Sequence, residues 1–217
     1  MLLLTPPGVY PAQGDTELLI ETLWRHHPPA GCRLLDLGTG SGAVALAAAT
    51  LGAEVTAVDL SRLALATAWA NARLNGLRIR VRRGDLVRPV ARARFDLIVA
   101  NPPYVPAPEP AAPRRGIARS WDAGPDGRLV LDRICRLAPR LLAPGGMLLV
   151  VQSSLARPDR TLAALRRAGL DTAVVATRRQ AFGPVMTARA RWFEASGVIG
   201  ADEREELLVV IRGVRPA

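Results

Sequence analysis

Short apolar runs alternate with longer amphipathic stretches along nearly the whole chain. Arg33 to Leu37 forms the first strand-like run, and Glu54 to Val58, ending at Asp59, the second. Arg78 to Arg83 alternates Ile79 and Val81 with arginines, which predicts a strand with one charged face, suited to guarding a sheet edge. Phe95 to Ala100 is the fourth, and its unbroken segment Leu97 to Ala100 reads as a buried parallel strand. Met147 to Gln152, Leu170 to Thr177 and Leu207 to Arg212 follow. Helical patterns lie between the strands. Asp15 or Thr16 caps a first helix with Leu18, Leu19 and Leu23 on its apolar face and Trp24 as a candidate fourth member; His26-His27-Pro28-Pro29 ends it. Further helices span Ala43 to Leu51, Ser61 to Leu74 with Ser61 as cap, Leu129 to Leu142 closed by Pro144-Gly145-Gly146, and Arg157 to Ala168. Residues 105–125 form a long Pro/Ala/Arg loop of the kind that covers functional sites. Alternating βα units imply an α/β fold with a mainly parallel sheet and helices on both faces. No repeat or internal boundary interrupts the chain. A single domain over residues 1–217 is expected, with 1–30 as a cap segment and helix and 31–217 as the core.

Composition narrows the class. The chain has 217 residues, 49% hydrophobic and 22% charged, enough for a real core. No apolar run is long enough to span a membrane, and Met1 to Pro7 is too short and lacks a basic flank for a signal peptide. Cys32 and Cys135 are far apart without metal-ligand spacing, and nothing completes a ligand set around His26-His27, so no metal site is expected. The two thiols fit a reducing, cytoplasmic setting. The net charge of +10 comes entirely from arginine, because lysine is absent. The arginines are spread along the chain, which gives modest support for an acidic or nucleic-acid partner.

The chemistry gathers at strand ends. Asp36-Leu37-Gly38-Thr39-Gly40-Ser41-Gly42 follows the first strand; its alternate glycines allow a sharp turn and close backbone approach to a ligand. Asp59 ends the second strand, and Asp85 follows the third. A close loop, a carboxylate for ribose hydroxyls and a polar group for adenine suit a nucleoside cofactor. The Gly-x-Gly-x-Gly spacing differs from the dinucleotide fingerprint, although a nicotinamide cofactor shares the strand, loop and acid. The fourth strand breaks off in Asn101-Pro102-Pro103-Tyr104. The prolines force a turn at the edge where open α/β sheets bind ligands. The Asn101 side-chain carbonyl and the Pro102 carbonyl are two acceptors, and Tyr104 adds a flat face; together they suit a planar NH2 group.

Leu34 to Gly42, Asp59, Gly84-Asp85 and Asn101 to Tyr104 resemble a class I S-adenosylmethionine-dependent methyltransferase, with a Rossmann-like, seven-stranded, mostly parallel sheet. Within that class the chain is similar to the HemK-like protein-glutamine N5-methyltransferases, in particular their short eukaryotic and archaeal branch. Val9-Tyr10-Pro11-Ala12-Gln13-Gly14-Asp15-Thr16 matches that branch's Tyr…Pro…Asp-Thr segment, and Trp121, Gly124, Gly127 and Arg128 its Trp-x-x-Gly-x-x-Gly-Arg stretch. The resemblance implies methyl transfer to the glutamine of a Gly-Gly-Gln motif in a translation release factor. It implies that Thr16, with Asp15, helps hold S-adenosylmethionine. Asp36, Gly38 and Gly40 would line its methionyl part, Asp59 its ribose, and Asp85 with Leu86 its adenine. Asn101 and Pro102 would hold the substrate nitrogen, and Tyr104 would border the substrate.

Longer bacterial relatives carry an N-terminal helical domain, for which a first core strand near residue 33 leaves no room. Eukaryotic members pair with a zinc-binding activator through an apolar sheet edge; an arginine-rich third strand does not predict that partner. The alternative substrates are an exocyclic amine of RNA or DNA, with a flipped base on Tyr104, and a small amine metabolite. A non-catalytic cofactor-binding adaptor or a nicotinamide enzyme would leave Asn101 to Tyr104 unexplained.

Overall fold

A computed structural model of the protein describes residues 1–111, 113 and 116–217. Its strands are β1 (Arg33–Leu37), β2 (Glu54–Asp59), β3 (Arg80–Arg83), β4 (Phe95–Ala100), β5 (Leu142–Ser153), β6 (Asp171–Ala181) and β7 (Glu205–Val214). They lie in the order β3-β2-β1-β4-β5-β7-β6. β1 to β5 run parallel, and β7 is antiparallel to both of its neighbours. The sheet is therefore seven-stranded and mostly parallel, as the alternation of elements implies.

The helices are α1 (Gly14–Arg25), α2 (Ala43–Thr50), α3 (Arg62–Leu74), α4 (Leu131–Leu137), α5 (Pro158–Arg167) and α6 (Pro184–Ala195). From β1 the chain winds outward through α2 and α3 toward β3; from β4 it winds the other way through α4. Right-handed crossovers in opposite directions put these helices on opposite faces. α1 packs on α2 and α2 on α3, while α4 packs on α5. Covered on both sides, Leu34, Leu35, Ile98, Val99, Leu148 and Leu149 are completely buried. β1 and β4 are adjacent, with Leu37 opposite Ala100, so the strand order reverses there. That reversal opens a crevice at their carboxyl ends.

Several predicted boundaries shift. α1 starts at Gly14, with Gln13 at the cap position making no side-chain bond. Asp15 and Thr16 sit inside the first turn, because the Asp15 carboxylate accepts from Tyr104 rather than capping. Trp24 is exposed and leaves the apolar face to the leucines. Ser61 caps α3 as predicted, accepting from the Ala64 N–H. The predicted helix 129–142 is α4 followed by a 3-10 turn, Ala138–Leu141. Pro139 has no N–H to continue an α-helix. Pro144-Gly145-Gly146 lies within β5, where the Gly145 N–H donates to the Arg215 carbonyl. α6 occupies a stretch without a predicted element, opened by Gly183-Pro184 and burying Met186, Ala190 and Phe193. Of the predicted loop 105–125, residues 112, 114 and 115 lie outside the described residues.

Candidate functional site

The glycine loop shows how close packing dictates composition. Gly38, Gly40 and Gly42 all have left-handed φ values, of 78°, 53° and 86°. A Cβ on Gly42 would lie 2.9 Å from the Ala68 Cβ, so α2 can approach α3 only with glycine there. The loop's own donors are largely taken. The Gly38 and Thr39 N–H groups donate to the Val58 carbonyl, at 2.9 and 3.1 Å, and the Gly42 N–H donates to the Thr39 carbonyl. The Gly40 N–H donates to Asp59 Oδ2 at 3.1 Å. Gly38 nevertheless stays exposed, so the loop offers a ligand a bare Cα surface rather than a nest of free N–H groups. A pyrophosphate would need those groups, and the nicotinamide reading loses its main physical support.

Asp36 lies beneath this loop, buried, and accepts from Thr39 Oγ1 at 2.7 Å. Burial first, and then the charge of Asp59, push its carboxyl from the ordinary 3.8 up to about 7, against the opposing pull of the Thr39 bond. A buried carboxyl so placed fits a cationic ligand group. Asp59 joins two elements: its other oxygen accepts from the Ser61 N–H at 2.8 Å, at the start of α3. Asp85 is held by Arg133 of α4 at 2.5 Å. The following Leu86 has a φ of 50°, a strained conformation for leucine, next to the cofactor-side acids.

On the other side of the crevice stands the Asn-Pro-Pro-Tyr turn. Asn101 Nδ2 donates to Thr16 Oγ1 at 3.1 Å. Thr16 Oγ1 in turn donates to Asp15 Oδ1 at 3.2 Å, and the Tyr104 hydroxyl donates to Asp15 Oδ2 at 2.9 Å. Burial foremost, then Asp15 and Glu206, hold the Tyr104 hydroxyl well above its ordinary value, so it remains a donor. Among the described residues, no protein donor reaches Asn101 Oδ1 or the Pro102 carbonyl.

The stretch after the long loop packs directly on this turn. The Val105 N–H donates to the Trp121 carbonyl at 2.8 Å, and the Ala123 N–H to the Val105 carbonyl at 3.1 Å. Gly127 has a φ of 69°, and a Cβ there would overlap the Tyr104 carbonyl oxygen. Arg128 is fully buried and donates to Asp132, to Thr161 and to the carbonyls of Ala156 and Arg157. It therefore locks the segment to α4 and α5. Trp121 faces Tyr10 with ring centroids 5.7 Å apart. Tyr10 arrives on a strap tied to α3, where the Leu4 N–H donates to Asn71 Oδ1 at 2.8 Å.

Sequence reasoning missed Glu206 and Arg189. Glu206 is buried at the start of β7 and accepts from Gln180 Nε2 at 2.8 Å. It lies just before the predicted strand Leu207 to Arg212, beside a second acid, and no local pattern marks it as buried. Arg189 of α6 stands 2.6 Å from the buried Asp122 carboxylate, in a contact not aligned as a hydrogen bond, and donates to the Pro106 carbonyl.

This strand order, with a glycine loop after β1 and acids ending successive strands, is the Rossmann-like fold of class I methyltransferases. Residues 1–112 match the family described as methyltransferase small domain, and the chain belongs to that family. The release factor glutamine methyltransferase of Bordetella pertussis is 45% identical over 177 residues, 77% of this chain and 64% of its own. A protein named as an N5-glutamine methyltransferase in Methanocaldococcus jannaschii is 32% identical, covering 85% of this chain and 92% of its own. The chain spans 64% and 59% of the length of the B. pertussis and Geobacter sulfurreducens relatives. Among solved structures, the E. cuniculi Mtq2–Trm112 complex, responsible for methylation of eRF1, superposes with a TM-score of 0.66 at 24% identity. The match covers 96% of this chain and 99% of that one. A T. thermophilus 16S rRNA methyltransferase in complex with AdoMet and guanosine gives 0.62 at 21% identity, over 96% and 46% of the two chains.

Proposed function

We propose that the protein is an S-adenosylmethionine-dependent N-methyltransferase acting on the glutamine side-chain amide of a Gly-Gly-Gln motif in a translation release factor. The observation that carries this is a pair of acceptors at the β1/β4 reversal, Asn101 Oδ1 and the Pro102 carbonyl, which no donor among the described residues reaches. The relatives named as glutamine methyltransferases supply the substrate.

Asp36 and Gly38 would hold the methionyl end of the cofactor, Asp59 the ribose, and Asp85 with Leu86 the adenine; Gly40 would set the loop through its bond to Asp59. When bound, the cofactor supplies an electrophilic methyl group on a sulfonium. The protein's task is to present an amide nitrogen whose lone pair is delocalised. Accepting both N–H bonds at Asn101 and Pro102 orients that nitrogen and makes it more electron-rich. Those bonds strengthen as the nitrogen gains positive charge, so they favour the transition state over the ground state.

Thr16 and Asp15 take a role beyond the cofactor contact implied by resemblance. A carboxylate only accepts, so the Thr16 hydroxyl proton is committed to Asp15. Thr16 Oγ1 can then receive only the NH2 side of Asn101. The relay turns Asn101 Oδ1 toward the substrate. Tyr104, tied to the same Asp15, would border the substrate. Among the described residues no helix is long and apolar enough to cross a membrane. A cytoplasmic setting beside the translation machinery fits the two buried free thiols.

The test is methyl transfer to a Gly-Gly-Gln peptide and to purified release factor, with RNA and DNA as parallel acceptors. Wild type is expected to label the glutamine. Asn101→Ala is expected to lower turnover ~10²–10³-fold with cofactor affinity nearly unchanged. Labelling of nucleic acid alone would overturn the substrate.

A further inference from the structure

Arginines dispersed along the sequence are gathered in space. β1 and β3 open at Arg33 and Arg80, β4 directly follows Arg94, and Arg140 precedes β5. α5 ends at Arg167, and Arg215 follows β7, which runs back antiparallel to that edge. All of these border the amino-terminal edge of the parallel strands. Asp36, Asp59 and Asn101 border the opposite one. Strands of five or six residues hold the two edges roughly 15–20 Å apart.

Two hollows of about 890 and 800 Å³ share Arg94: the first runs between α4 and α5 down to the amino-terminal edge, and the second lies along that edge beside β3 and β4. Each is lined by six arginines, which makes eleven when Arg94 is counted once, against two acids, Asp132 and Glu54. Arg33, Arg80 and Arg160 have carboxylate partners. Among the described residues, the other eight form no salt bridge. Eight uncompensated guanidiniums repel one another, and a polyanion relieves that repulsion while each planar fork can grip a phosphate through two N–H groups. The one aromatic residue among the described residues of these walls, Phe95, is buried, so they offer no exposed aromatic ring for stacking single-stranded bases. Dense, unpaired positive charge without exposed aromatic rings fits the phosphate backbone of a double helix.

We infer that the amino-terminal edge of the sheet is a docking surface for the phosphate backbone of double-helical nucleic acid. The bound duplex is not the methyl acceptor, because Asp36, Asp59 and Asn101 lie at the opposite ends of the strands. The surface anchors the enzyme while the opposite edge stays open to a protein substrate.

Fluorescence anisotropy with labelled 20-base-pair RNA and DNA duplexes tests this across a salt series. The edge variant combines Arg136→Glu, Arg140→Glu and Arg167→Glu; the control combines Arg62→Glu, Arg179→Glu and Arg191→Glu, exposed residues outside the two hollows. Both change the net charge equally. The edge variant is expected to lose at least about 30-fold in affinity near 100 mM salt and to flatten the log–log salt slope by about 3. The control is expected to change less than about threefold. S-adenosylmethionine binding and the thermal midpoint report folding in both. Equal losses in the two variants would reduce the effect to net charge and overturn the inference. So would the absence of duplex binding by wild type at 100 mM salt, or binding to phosphatidylserine vesicles in place of either duplex. Methyl transfer to peptide is measured separately, so failure of duplex binding does not bear on the proposed reaction.

Discussion

Asn101 lies 85 residues from the threonine that orients it. If Thr16 sets which end of the amide faces the substrate, Thr16→Val removes the acceptor for Asn101 Nδ2 and lets the amide turn over. Turnover is then expected to fall about tenfold, the worth of one hydrogen bond of about 1.4 kcal/mol. Thr16→Ser keeps the hydroxyl and is expected to restore most of the rate, and a cofactor titration separates this from lost binding. Asp36 makes a pH-dependent contribution. Its folded value near 7 stands above the unfolded 3.8, so the native state holds the proton more tightly between those values. Stability is whole below about pH 4, falls as pH rises toward 7, and is flat above. The loss is on the order of 4 kcal/mol at most. Asp36→Asn keeps the Thr39 hydrogen bond and removes the titration. In the ligand-free protein it is expected to raise the thermal midpoint at pH 8 and leave it unchanged at pH 4. At pH 8 the same variant is expected to bind S-adenosylmethionine more weakly, and calorimetry checks this.

At the scale of elements, the segment Trp121 to Arg128 acts as a buttress for the Asn-Pro-Pro-Tyr turn. Gly127→Ala forces a Cβ against the Tyr104 carbonyl and strains a φ of 69°. A loss of about 1–3 kcal/mol in stability is expected, read from denaturant unfolding, with turnover falling because the turn carrying Asn101 moves. Element boundaries show why some local patterns were legible and others were not. Ser61 before α3 and the apolar runs of β1, β2 and β4 carry their signals within a few residues. α6 had a stop-and-start at Gly183-Pro184 and apolar positions at helical spacing, but Arg189 falls beside Met186, Ala190 and Phe193 and interrupts the apolar face. That arginine is drawn inward to Asp122, a distant acid that local patterning does not reveal. β5 gained its early residues from pairing with β4 and the Arg215 carbonyl, against the turn signal of Pro144-Gly145-Gly146.

The two edges of the sheet carry different chemistry, with Asp36, Asp59 and Asn101 at the carboxyl ends of the strands and a cluster of arginines toward their amino ends. Reversing Arg136, Arg140 and Arg167 should therefore lower duplex affinity while methyl transfer to peptide persists. The sequence by itself determined the strand–loop–helix units and the strand-end motifs, from the glycine loop to Asn101-Pro102-Pro103-Tyr104. Each is built from neighbours in the chain, and backbone sterics and apolar patterning act at that range. It also determined the charge, but not where the charge sits. Only the tertiary structure decided that. The reversal of strand order brings β1 beside β4, the packing of α1 sets Asp15 and Thr16 against Asn101, and the fold collects dispersed arginines toward one edge. Those contacts join residues remote in the chain, and their physical cause is the packing of the whole sheet rather than the propensity of any one stretch.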